Sequence, residues 1–187
     1  MPTLQDSSES DNELARRWQA GDGRAAELLI DRHLSKLRAF LATRCGSQTE
    51  ADDLAQDVFV AACRHIESFR ADGNFSGWLY GIARNKVADF WRRQHPTETF
   101  EERHAGIDAR SPSLIHEESD RAAQVWAEVF ARLPETQAAA LWLRIQEEMH
   151  LEEIASALDV TLSNAKVLLF RARQTLAAHW NSRTALS

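Results

Sequence analysis

The strongest constraint on this chain is where its helix breakers fall. It has four prolines, Pro2, Pro96, Pro112 and Pro134, and none lies inside a long periodic segment. Between them apolar residues recur at three- and four-residue spacing, and no stretch of convincing length alternates as a strand would. Gly21 and Gly23 separate a short helix near 12–20 from a longer one over about 24–44, in which Leu28, Leu29, Leu34, Leu37 and Leu41 follow helical spacing. Cys45-Gly46-Ser47 ends that helix, and Thr49 is the expected cap of a third running to about residue 68. Residues 69–76 read as a loop, with a fourth helix expected over about 77–94.

The pattern then stops. Residues 95–120 carry Pro96, Gly106 and Pro112 among scattered acids, which is a linker signature. Helical spacing resumes near Glu117, breaks at Pro134 and continues to the C-terminal region. The expected fold is all-α: a four-helix domain over 11–94 and a smaller helical domain over 121–180, joined by a flexible acidic linker over 95–120. Residues 1–10 and 181–187 are expected to be tails. With 44% hydrophobic and 27% charged residues, a chain of 187 can bury a core in each part.

Charge is distributed along the same divisions. The net charge is −6, but residues 1–94 carry 13 Lys/Arg against 14 Asp/Glu, residues 95–120 carry 2 against 7, and residues 121–187 carry 7 against 7. In the last part all seven acids lie at or before Asp159, while Lys166, Arg171, Arg173 and Arg183 follow. An acidic mean therefore hides a local basic face suited to phosphates.

That face falls on the most specific local signal. A short helix over 151–158 carries Ile154, Ala155 and Leu158 on one side, Asp159-Val160-Thr161 turns the chain, and a longer helix follows from about Leu162. This is a helix-turn-helix arrangement. In its second helix Ala165, Leu169, Ala172 and Leu176 form the inward stripe. Lys166, Val167, Phe170 and Arg171 then face outward, with Ser163 and Asn164 at the N-terminal end. Cations there can neutralise phosphates, and polar or apolar groups can meet base edges and thymine methyls. The alternative is an ordinary helical hairpin with a solvated polar face. An outward Phe170 is unusual on such a face.

Placed in order, these motifs resemble the extracytoplasmic-function sigma factors of the sigma-70 family of bacterial RNA polymerase. The resemblance covers about 11–93 and 125–178. Gly21-Asp22, the run Asp52-Asp53-Leu54-Ala55-Gln56-Asp57-Val58-Phe59 and the run Trp78-Leu79-Tyr80-Gly81-Ile82-Ala83-Arg84-Asn85 look like region 2. Leu133-Pro134 through Leu143-Arg144, with the helix-turn-helix, look like region 4. The resemblance implies a promoter-specificity subunit that binds core RNA polymerase, directs it to −10 and −35 elements and assists strand opening. It implies docking of Asp52, Asp53, Gln56, Asp57, Phe59 and Val60 on the clamp of the largest polymerase subunit. Region 4 would sit at the beta flap. It implies −10 contact by Asn74, Arg84, Asn85, Lys86, Asp89, Arg92 and Arg93, with the loop before the fourth helix holding an extruded base. It implies −35 contact by Ser163, Asn164, Lys166, Val167, Phe170 and Arg171. An anti-sigma factor, often membrane-bound, is the further partner. At the turn Asp159 stands where the family frequently has glycine. Leu168 stands where a cation is usual.

Other classes find little support. There is no phosphate-binding glycine loop, no HExxH and no local nucleophile–base pair, so no catalytic residue, metal site or cofactor is expected. Residues 1–10 have neither the basic flank nor the apolar core of a secretory signal. Apolar runs fall far short of the roughly 20 residues that span a bilayer, so a cytoplasmic protein without membrane insertion is expected. Cys45 and Cys63 are expected as free thiols. Two rival functions remain: an autonomous helix-turn-helix regulator that binds DNA without polymerase, and a helical adaptor that binds only protein.

Overall fold

Each helix of the first block starts at a side chain that accepts from the free N–H groups of its opening turn. The computed structural model describes residues 9–45, 47–70, 72–94, 125–126, 128–129 and 131–184. Helix α1 (Asp11–Gln19) opens on a capping box between Ser10 and Glu13. Helix α2 (Gly23–Ala42) is capped by the Asp22 carboxylate, which accepts from the Arg24 and Ala25 N–H groups. Between them Gly21 adopts φ +95°, a conformation that side-chain-bearing residues resist. Helix α3 (Gln48–His65) is capped by Ser47, not by the expected Thr49, because the extended Ser47 backbone aims its hydroxyl at the Glu50 N–H. A 3-10 turn, Ile66–Ser68, follows. Helix α4 (Phe75–Gln94) begins two residues before the expected start, since the Asn74 side-chain carbonyl accepts from the Gly77 N–H at 2.8 Å.

The second block has helical residues within 125–132, then α5 (Glu135–Ile145), α6 (Leu151–Leu158) and α7 (Leu162–Thr184). Glu9 and Ser10, assigned above to the first tail, carry contacts, and α7 continues past residue 180. Among the described residues there is no strand, and no helix is long and apolar enough to cross a membrane. The acidic linker over 95–120 lies outside the described residues.

Burial follows the expected stripes. Ala165, Leu169, Ala172 and Leu176 of α7 are buried, as are Ile154, Ala155 and Leu158 of α6. Trp126 and Trp142 are buried with ring centroids 4.9 Å apart. Trp18 and Trp78 are half-buried, and both pack against Phe75. Helix α4 packs on α6, and one apolar core runs through both blocks.

Asp159 closes α6 at φ 54° and ψ 50°, the left-handed conformation the turn demands. A short polar residue adopts it more readily than a β-branched one. Asp159→Val is therefore expected to lower stability by about 1–2 kcal/mol. Asp159→Gly should stay within about 1 kcal/mol of the parent in denaturant titrations.

Candidate functional site

Three surfaces carry the residues singled out in the sequence, and the fold treats them differently. On α3, Asp53, Gln56, Asp57 and Val60 lie exposed on one side, with Val60 48% exposed despite its apolar side chain. Asp53 and Asp57 line a groove with Glu50, Leu54, Phe90 and Arg93, so the floor is partly apolar and the α3 side acidic. Two expected members do not share this face. Phe59 is 7% exposed and packs in the core. Asp52 is held by Arg38 of α2 through bonds of 2.6 and 2.8 Å to its two carboxylate oxygens, and Gln48 donates to it at 3.2 Å. Helical spacing turned Phe59 inward. An arginine on the neighbouring helix claims Asp52.

The α4 set divides between two faces. Asn85, Arg92 and Arg93 are exposed, and Lys86, Asp89, Arg92 and Arg93 line an open groove with Asp57. Arg92 pairs with Asp89, while Lys86 Nζ stands 4.0 Å from Asp57 Oδ2. Arg84 does not share the outward face. Its guanidinium donates to the Leu158 carbonyl at the C-terminal end of α6, where the unsatisfied carbonyls of a helix attract cations. Asn74 is committed twice: its carbonyl caps α4, and its NH2 donates to Glu153 Oε1 at 2.7 Å.

The α7 set stays together. Ser163, Asn164, Lys166, Val167, Phe170 and Arg171 are all exposed, and Phe170 is 60% exposed opposite the buried stripe. The Thr161 hydroxyl accepts from the Asn164 N–H at 3.2 Å at the start of the helix. Leu168 is half-buried against the core, so this position lies off the outward face and a cation there would meet apolar neighbours.

Sequence reasoning missed the residues that hold the loop before α4. Asn12 bridges it, donating to the Gly73 carbonyl at 2.8 Å and accepting from the Phe75 N–H at 2.9 Å. Gln19 donates to the carbonyls of Ile66 and Phe69 at 2.8 and 2.7 Å. His33 is buried, lies 2.7 Å from Asp11 and packs its ring 5.5 Å from that of Phe75. Burial pulls the Asp11 carboxyl upward, but the hydrogen bond and charge of His33, with those of Arg32, prevail and hold it below the ordinary value. The only local sign of these roles was polar residues interrupting short helices. The partners of Asn12 and Gln19 lie 47–63 residues away. Cys45 is half-buried and burial pushes its thiol up to about 12, whereas Cys63 is exposed. Among the described residues no group of His, Cys, Asp and Glu is arranged to hold a metal ion.

The Sigma-70 region 2 family matches residues 29–97, and the Sigma-70, region 4 family matches residues 124–176. The chain is 31% identical to the RNA polymerase sigma-H factor of Pseudomonas aeruginosa, over 90% of this chain and 92% of that protein. It is 32% identical to the ECF RNA polymerase sigma-E factor of Haemophilus influenzae, over 89% of this chain and 93% of that one. The fold is similar to that of CnrH solved in complex with the cytosolic domain of CnrY. That match has a TM-score of 0.67 and 24% identity, over 93% of this chain and 99% of the other. It is also similar to the sigma factor RpoE in complex with the anti-sigma factor NepR from Bartonella quintana. Here the TM-score is 0.64 and the identity 23%, over 79% and 91% of the two chains. The chain belongs to the sigma-70 family, as an extracytoplasmic-function RNA polymerase sigma factor.

The Asn12 bridge has a measurable consequence. Asn12→Ala removes both bonds and leaves the partly buried Phe75 N–H without its acceptor. The expected cost is about 1–3 kcal/mol, with faster amide exchange at Gly73 and Phe75 than in α2.

Proposed function

We propose that this sigma factor docks on core RNA polymerase through the exposed α3 face of Asp53, Gln56, Asp57 and Val60. It reads the −10 element with Asn74, Asn85, Lys86 and the arginines of α4, and reads the −35 element with the outward face of α7. The observation that carries this reading is the α7 surface. Six adjacent polar, basic and apolar side chains face water while the opposite stripe is fully engaged in the core. A helix that buries one stripe and presents Asn, Lys, Arg and an unpaired aromatic on the other suits a major groove. The acidic α3 face, with its partly apolar groove, suits a basic helical partner such as the polymerase clamp. The protein acts as a specificity subunit and not as an enzyme, and it works in the cytoplasm. An anti-sigma factor is its regulatory partner, a reading supported by the RpoE–NepR complex of the same fold. A membrane-anchored one is the finer form, checked by whether the partner recovered from native cells fractionates with membranes.

Run-off transcription with purified core polymerase separates this reading from an autonomous regulator, which would bind its site without core, and from an adaptor, which would not bind DNA. Asp53→Arg with Gln56→Ala is expected to abolish co-purification with core while circular dichroism stays unchanged. Retained binding would remove the α3 face from the account.

The two elements of α7 should separate in a salt series on linear promoter DNA with holoenzyme. Arg171→Ala is expected to cost about 1–3 kcal/mol of discrimination at one base pair and relax −35 preference. Lys166→Ala should weaken binding uniformly and lower the salt slope by about one contact. Phe170→Ala should weaken −35 binding with no loss of thermal stability, since its ring stabilises no core. For α4, Asn85→Ala should lower permanganate reactivity of the melted strand more than it lowers −35 protection.

A further inference from the structure

Helix α1 reaches the loop before α4 at both of its ends. Asn12 and Gln19 stand seven residues apart, two turns along one face of the helix. Gln19 Nε2 donates to the Ile66 and Phe69 carbonyls at 2.8 and 2.7 Å, where the chain enters the loop. Asn12 donates to the Gly73 carbonyl at 2.8 Å and accepts from the Phe75 N–H at 2.9 Å, where the chain leaves it. Asp11 ties the start of α1 to α2, with Arg32 at 2.9 Å from one carboxylate oxygen and His33 at 2.7 Å from the other.

Between these anchors the loop is tight and its tip is open. The Gly73 N–H donates to the Arg70 carbonyl at 2.8 Å, and a Cβ on Gly73 would lie 3.1 Å from that same oxygen. Glycine lets the turn close. Phe69 and Phe75 flank it with ring centroids 5.9 Å apart, and the Trp78 indole lies 5.6 and 5.7 Å from them. At the tip the Arg70 guanidinium donates to Asp72 through bonds of 3.1 and 2.9 Å, with the two side chains 81% and 71% exposed. So exposed a pair adds little to stability, but it holds the guanidinium in one orientation. Water can satisfy the backbone groups of a surface loop. Meeting them with two amide side chains from another helix costs those side chains their freedom and gives the loop one shape before any ligand arrives.

We propose that Asn12 and Gln19 are positioning residues for promoter opening. They hold the loop in the shape that receives a base turned out of the non-template strand, so that the base is read without the loop first having to order. The proposal rests on the −10 reading given above. Neither amide meets the strand itself. Each acts through backbone groups whose positions set where the loop tip stands. Loss of an anchor therefore blurs the hold on that one base. The bases met by α4, the −35 contacts of α7 and the docking face of α3 stay as they were.

The probe is the non-template strand of a promoter that parent holoenzyme selects from a random duplex pool, made as a series with one abasic site at each −10 position in turn. The ratio of intact to abasic affinity measures how firmly each base is held. Parent holoenzyme should show a penalty at several positions, some lost in Asn85→Ala and at least one that survives it. The surviving position marks the base held by the loop. Gln19→Glu keeps the size of the side chain and loses the donor of both its bonds. It should cut the penalty at that position by about tenfold, the scale of one stacked base, and leave the Asn85-dependent positions unchanged. Asn12→Asp keeps the acceptor for the Phe75 N–H and loses only the bond to Gly73, so a smaller fall at the same position is expected. Core co-purification and −35 protection should match the parent in both. Asp22→Ala, which removes the cap of α2 and a partner of Arg17, is the control for lost stability and should keep every penalty.

Unaltered penalties in both Gln19→Glu and Asn12→Asp overturn the proposal. So does a fall that Asp22→Ala shares, or one that extends to the Asn85-dependent positions. Penalties that all vanish in Asn85→Ala leave no base to the loop and overturn it too. If no abasic site weakens parent binding, or Asn85→Ala removes no penalty, the −10 reading fails and the proposal with it. If the parent penalties stand and only the α1 variants are silent, the −10 reading survives and the positioning role alone falls.

Discussion

Arg44 and Glu135 meet where water is excluded, 91 residues apart in sequence, and the placement of the second helical block follows from that meeting. Burial lowers the readiness of Arg44 to hold its proton, and the neighbouring Glu135 carboxylate works against that. The guanidinium is further held by the Phe40 carbonyl and the Thr43 hydroxyl, at 3.1 and 2.9 Å. A charge so placed tolerates few alternative positions for its partner. With Glu135 in the first turn of α5, the direction of that helix is set, and α6 and α7 pack on it in turn. An apolar contact of similar area would allow sliding. A buried charge pair penalises it.

Around this anchor the hydroxyl-rich edge of α4 finds its acceptors in the second block. Ser76 and Tyr80 converge on Glu147, and burial beside that carboxylate pushes the Tyr80 hydroxyl well above its usual range. Glu153 serves two helices at once. One oxygen accepts from the His150 N–H at the start of α6, and the other receives Asn74 at the start of α4. Helix starts thus supply much of the polar contact between the blocks, because their N–H groups and capping side chains favour carboxylates.

Much of the fold was legible because its punctuation is local. Gly21, Pro134 and the left-handed Asp159 mark helix ends within a few residues of themselves, and the 3.6-residue period named the buried stripe of α7 residue by residue. The α7 surface was legible for the same reason, as the complement of that stripe. The α3 and α4 surfaces were read less fully. Phe59 sits one position from an outward valine, and a family motif does not say which side of a helix each member takes. Asp52, Asn74 and Arg84 showed no partner in the sequence, because Arg38, Glu153 and the Leu158 carbonyl meet them only in the fold, the last two from more than 70 residues away. A single sequence shows donors and acceptors but not which pairs meet. The packing of α4 on α6 had no such local sign, since its two sides lie in different blocks of the chain.

The central claim is that the Arg44–Glu135 pair holds the free chain closed across this interface. Paired spin labels at Asp31→Cys on α2 and Gln174→Cys on α7, both exposed positions, would report it directly in a chain carrying Cys45→Ala and Cys63→Ser. Double electron–electron resonance should give one narrow separation for the free chain, matching the packed arrangement, and a broadened one once Glu135→Ala removes the ion pair. A broad distribution in the parent chain, or the same narrow separation in Glu135→Ala, would contradict the account.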